Sequence, residues 1–141
     1  MLEQIVNAPL FDYMERGLAA ANLRHEVISN NIANVNTPYF KKSNVVFEEL
    51  LAKELAPVPT GQLQVVRTHD RHMPIPSHKR AEATIEEDTS STMRTDHNNV
   101  DIDIEMASMA KNQLYFNALS TMLGQHISAI KNVITTAGQS G

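Results

Sequence analysis

No cysteine and no tryptophan occur among the 141 residues. The first absence excludes disulfides, thiolate nucleophiles and Cys-based zinc sites. It also suits a chain that passes from reducing to oxidising surroundings. Aromatic residues make up only 5% of the sequence, too few for a base-stacking platform or a large aromatic pocket. A basic excess is missing too. The net charge is −4 and the pI about 5.8, so no positive field invites nucleic acid. The start, MLEQIVNAPLFDYMERGL, lacks a basic n-region, a sustained apolar run and a small-x-small site. No cleaved signal peptide is expected. The longest uncharged run, between Lys111 and Lys131, carries Asn112, Gln113, Asn117, Ser120, Thr121, Gln125, His126 and Ser128. So many polar groups would be costly in hydrocarbon, so no membrane span is expected.

What is present is concentrated at the two ends. Phe11, Met14, Leu18, Ala21, His25, Ile28, Ile32 and Val35 step by alternating threes and fours. That is the seam of a helix packed along another helix. Pro9 suits a first helical turn, with Asn7 or Ala8 near the cap. Near the other end, NNVDIDIEM alternates Val100, Ile102, Ile104 and Met106 with Asp101, Asp103 and Glu105. Such alternation fits either a short extended lead-in or acidic residues at a helix N-terminus, where they offset the dipole. Helical period begins near Ile104. Phe116, Leu123, Ile127, Ile130, Ile134 and Ala137 form one seam. Tyr115, Leu119, Met122, Ala129 and Val133 form a second, with His126 inside it. One partner helix covers one seam, so two adjacent seams imply further neighbours. Gly124 weakens a helix by about 1 kcal/mol and permits close backbone approach.

The fold class that follows is mainly α. Long N- and C-terminal helices pair as an antiparallel coiled coil around a loop-rich or weakly β middle. The divisions fall at residues 1–40, 41–99 and 100–141. In the middle, VVFEELLAKEL reads as a short amphipathic helix broken by APVPTG, and QLQVVRT as a strand. The stretch from His69 to Asn99 is polar, Pro-broken and poor in large apolar residues, the material of a mobile loop or a small β insert.

Chemistry-bearing patterns are weak. His69, His72 and His78 would be the ligands of a metal-binding adaptor, the reading from a different class, but they sit in no helical HExxH pattern. Asp101, Asp103 and Glu105 resemble an ordinary solvated edge more than an acid–base pair. Serines have no GxSxG context, and no phosphate-binding glycine loop occurs. An enzyme is not expected, nor any cofactor or metal.

Uncharged amides are the stronger signal. The run Val27–Phe40 holds Asn30, Asn31, Asn34 and Asn36 with no Lys, Arg, Asp or Glu, and Asn112–Ile130 is equally free of them. A buried charge costs several kcal/mol after relaxation, about 3–5 when unpaired. An amide is satisfied by hydrogen bonds alone. Such runs point to surfaces that become buried between subunits.

The segment SNNIANVNTPYF, Ser29–Phe40, resembles the N-terminal signature of the bacterial flagellar axial proteins, the rod, hook and hook-associated subunits. NNVDIDIEMASMAKNQLYFNALSTM is similar to the C-terminal segment of the short proximal-rod members. Thr68 and His72 match their mid-chain pattern. The resemblance covers roughly half the chain. One departure is Tyr39, where the family has Gly or Asn after the proline; a type I turn at Thr37–Phe40 is therefore expected. A second is Phe116 at the family's Tyr position.

The resemblance implies a structural subunit of the flagellar basal-body rod, polymerising through its terminal helices. The alternative within the family is another rod subunit. Its implied partners are other rod proteins and further copies of itself, the adaptor FliE at the rod base, and the flagellar type III export apparatus. The implied location is the basal body, reached by export without a cleaved signal. Assembly contacts are then expected at Leu18, Ile28, Asn30, Asn31, Ile32, Asn34, Val35, Asn36, Thr37, Pro38 and Phe40. On the C-terminal helix they are expected at Asn112, Phe116, Leu119, Met122, Leu123, Ile127, Ile130 and Ile134.

Overall fold

The computed structural model describes residues 9–56, 69, 80–90 and 94–139. In chain order these form helix α1 (Pro9–Ala33), strand β1 (Ser43–Val46), helix α2 (Glu48–Leu55), strand β2 (Thr84–Glu87) and helix α3 (Ile102–Gln139). The long helices run antiparallel. Asn31 meets Glu105, Ala21 meets Asn112, and Gly17 meets Leu119. The expected mainly α hairpin with a small β element between its arms is what the chain forms. Strands β1 and β2 are antiparallel, in register Ser43↔Glu87 through Val46↔Thr84. The suggested strand QLQVVRT lies outside the described residues.

Along α1, Met14, Ala21 and Ile28 are buried, as the three–four stepping requires, while Leu18, Ile32 and Val35 are half-buried. His25 departs from the expected seam: it is exposed. The reason is a second load on the helix. The middle of the chain packs beside α3, so the buried arc shifts toward Gly17, Ala20, Val27 and Asn31 and leaves His25 outside it. Phe47 anchors that middle, only 1% exposed at the N-cap of α2. The helical reading of VVFEELLAKEL holds from Glu48 onward; Val45 and Val46 instead enter β1.

Helix α3 begins at Ile102, and Asp101 caps it. Its Oδ1 accepts from the backbone N–H of Asp103 (2.9 Å) and of Ile104 (3.3 Å), satisfying donors that a helix start leaves free. The period-two pattern before it misleads about burial. Ile102, Ile104 and Met106 are exposed; the buried members are Val100, before the helix, and Glu105 within it. In a helix the four positions other than Val100 fan out around the axis, and the one facing Asn31 of α1 is Glu105.

Farther along α3, the line turned toward α1 runs between the two expected seams. Asn112 is buried, and Phe116, Leu119, Leu123, His126 and Ile130 are half-buried. Gly17 lets the helices approach here: a Cβ at that position would lie 3.1 Å from Leu119 Cδ1. Gly124, by contrast, meets no atom of the described residues within 4 Å.

Gly17→Val should therefore push the helix pair apart at Leu119 and cost about 1–3 kcal/mol, the range for overpacking. The expected readout is a lower urea midpoint at one fixed protein concentration, with Gly124→Val causing a smaller shift.

Candidate assembly surface

Where α1 ends, backbone groups lose their helical partners, and asparagines take them up. The last turn tightens, with Val35 N–H donating to Ile32 O at 3.2 Å and Thr37 N–H to Asn34 O at 3.0 Å. Asn31, 1% exposed, bonds Ser43 in both directions: Nδ2 donates to its carbonyl at 2.9 Å and Oδ1 accepts its N–H at 3.0 Å. The same Nδ2 donates to Glu105 Oε2 at 3.1 Å. Asn98 is fully buried. Its Nδ2 donates to the carbonyls of Asn34 (2.9 Å), Val35 (3.1 Å) and Thr37 (2.9 Å). Its Oδ1 accepts from Val100 N–H at 2.7 Å. Asn99 closes the sheet side, accepting from Lys42 N–H at 2.7 Å and donating to Asp88 O at 2.7 Å.

The turn that follows corrects an expectation. Tyr39 has φ 60°, a left-handed value that belongs at the third position of a type II turn, not a type I turn. For a non-glycine residue this conformation costs about 1–2 kcal/mol. Two contacts hold it. Tyr39 N–H donates to Asp96 O at 2.9 Å, and the ring stacks on His97, which also has φ 60°, at 5.4 Å between centroids.

The expected assembly residues divide into three groups. Asn31, Asn112 and Ile28 are used inside the hairpin; Asn112 Nδ2 donates to Ala21 O at 2.8 Å. Leu18, Ile32, Asn34, Val35, Phe40, Phe116, Leu119, Leu123 and Ile130 are half-buried. Asn30, Asn36, Thr37, Pro38, Met122, Ile127 and Ile134 are exposed. Beside the α1 contact line, Tyr115, Met122 and Val133 are open on one flank of α3, and Ile127 and Ile134 on the other. By the observed register, α3 beyond about Ile127 extends past Pro9, where the described part of α1 begins.

Sequence reasoning missed Gly17, Asn98 and Asn99. A glycine inside a helix is a signal by itself, because it costs about 1 kcal/mol there. Asn98 carried no local signal, since the acceptors of its amide lie some sixty residues away, and Asn99 joins Asp88 to Lys42 across the sheet.

Charged side chains fasten the middle. Arg16 grips Glu54 with both nitrogens, at 2.8 and 3.2 Å, and Arg24 Nη2 meets both oxygens of Glu48 at 2.8 and 2.7 Å. The Arg16 bond, then the Ala81 N–H, hold the Glu54 carboxyl down at about 2. A cleft of about 510 Å³ opens between α1, β1 and α3, lined by Arg24, Glu48, Glu105, Lys111, Asn112 and Tyr115 among others. Among the described residues no three His, Asp or Glu gather at a metal-holding distance; His72 and His78 lie outside those residues.

Replacing Asn98 by Ala should take one donor from three carbonyls that each keep a second (Thr37 N–H, Arg94 Nη1 and Phe40 N–H) and leave the buried Val100 N–H without its acceptor. The expected cost is about 1–3 kcal/mol, the desolvation penalty of unsatisfied buried groups. Amide exchange at Thr37, Phe40 and Val100 should accelerate well before that of mid-α1.

The same asparagine-rich segment is where the chain meets known proteins. The family model described as flagella basal body rod protein matches residues 12–41. The flagellar basal body rod protein FlgB of Bacillus subtilis is 32% identical, over 86% of this chain and 90% of its own length. That of Borreliella burgdorferi is 32% identical over 87% and 93%, respectively. That of Proteus mirabilis is 30% identical over 95% and 98%. Identity at this level across nearly the whole length, with a rod-family match that spans the asparagine-finished end of α1, places the chain in the FlgB family of flagellar basal body rod proteins.

Proposed function

We propose that this subunit acts as a non-enzymatic building block of the proximal rod, polymerising through the outer flanks of its two long helices. The observation that carries this is the face of α3. Tyr115, Met122, Ile127, Val133 and Ile134 are exposed, yet the run Asn112–Ile130 around most of them has no charged residue. A surface that stayed in water would carry Lys or Glu. One that is buried on assembly avoids them, because charge is costly to desolvate.

Assembly has a division of labour in this reading. Asn31, Asn98 and Asn112 set the hairpin, while Asn30, Asn34 and Asn36 offer neutral amides to neighbours at the helix end. Neighbouring copies, other rod proteins and the adaptor FliE at the rod base are the partners. The chain reaches the basal body through the flagellar type III export apparatus. No described helix is long and apolar enough to cross a membrane.

Two experiments test the reading. Met122→Lys combined with Ile127→Lys should abolish swimming while leaving the far-ultraviolet helix signal of the isolated chain unchanged; Glu82→Ala should swim normally, and Asn34→Asp should swim poorly. Normal motility of the double-lysine variant would defeat the reading. Separately, the purified chain should gain helix content or mass with concentration in sedimentation and circular dichroism. A concentration-independent, fully helical monomer would count against it.

A further inference from the structure

The connection between α2 and β2 leaves and returns at one point on α1. Glu54, in the last turn of α2, and Ala81, just before β2, are both held there by Arg16. Its Nη1 donates to Glu54 Oε2 at 2.8 Å and to the Ala81 carbonyl at 3.0 Å. Its Nη2 donates to Glu54 Oε1 at 3.2 Å. The triangle closes because Ala81 N–H donates to Glu54 Oε2 at 2.7 Å. The arginine is itself placed by Asp12, 2.9 Å away one turn earlier, and by the Tyr13 ring, with 5.1 Å from the guanidinium carbon to the centroid. Ala81 is buried.

Apolar packing does little to hold this junction. Helix α2 buries none of its side chains, and Leu55 is 54% exposed. Phe47 fixes the start of α2, but its end depends on the ionic triangle. A bidentate arginine–carboxylate pair is directional as well as strong, so it defines where both strands of the connection cross α1.

We propose that Arg16, Glu54 and Ala81 form a neck that fastens both ends of the 55–80 connection to α1. The neck is acid-sensitive in one direction. The folded Glu54 carboxyl lies at about 2, below an ordinary 4.5. Its contribution is therefore complete above about pH 4.5 and is lost as pH falls toward 2. The other charged groups facing it are Asp12 and Arg16 on α1 and Arg80 beside Ala81. The inference concerns one chain alone and stands apart from rod assembly.

The absence of native cysteine makes the test direct. Spin labels on Lys53→Cys and Glu82→Cys, both exposed positions, report the neck by pulsed electron resonance. A single narrow distance is expected at pH 7, broadening as pH falls below about 4. Glu54→Gln should broaden it at pH 7, whereas labels on the exposed positions Glu26 and Lys111 should keep a narrow distance in both proteins. Should the 53–82 distance stay narrow in Glu54→Gln at pH 7, apolar packing closes the junction and the neck is overturned. Loss of the narrow 26–111 distance in Glu54→Gln would show that the contact carries the helix pair as well, and would overturn its reading as a local fastening of the connection.

Discussion

The helix pair depends on how the end of α1 is finished: buried amides serve it from inside, and Arg94 Nη1 donates to the Val35 carbonyl at 3.1 Å from the exposed side. A helix that stops against its own chain leaves carbonyls that must find donors. Here Asn98 supplies three such bonds from one fully buried amide, and Asn31 ties the last turn of α1 to β1 and to α3. A lysine would deliver the donors but would bury an ammonium. The amide delivers them without a Born penalty. Register follows from these bonds. Once Asn31 faces Glu105 and Ala21 faces Asn112, the apolar line of α3 can meet α1 in only one phase.

Energetics within the hairpin are divided by kind. Small residues, with Gly17 in contact with Leu119, let the backbones approach. Phe47, 1% exposed, supplies the concentrated apolar anchor for the middle. Two arginines, Arg16 and Arg24, fix α2 from the side, where apolar burial is absent. The helix pair thus relies on packing and neutral hydrogen bonds, while the middle relies partly on ion pairs. The latter weaken with salt and acid, the former much less.

That division suits a subunit whose helices must be covered twice. One side of α3 is used within the chain, and its flanks stay apolar and open. A single hairpin cannot cover an arc that wide, because a partner helix occupies only one line of it. In the FlgB family reading, sister subunits supply the remaining cover. The rigid tip at Tyr39 and His97, two left-handed residues stacked on one another, keeps the outer end of the hairpin in a fixed shape.

The sequence by itself determined the two long helices, their antiparallel pairing, the polar middle and the uncharged faces. Those are periodic or compositional properties, which repeat along the chain and survive local error. It also identified the family through SNNIANVNTPYF. Tertiary structure alone decided which asparagine serves whom, because a donor at Asn98 and its acceptors near Asn34 are joined only by folding. It decided that His25 lies outside the contact and Glu105 inside it, since the middle rolls the buried arc of α1 and the register turns α3. Tyr39 shows the same limit: propensity argued against positive φ, and a backbone bond from Asp96 together with a stacked His97 prevailed.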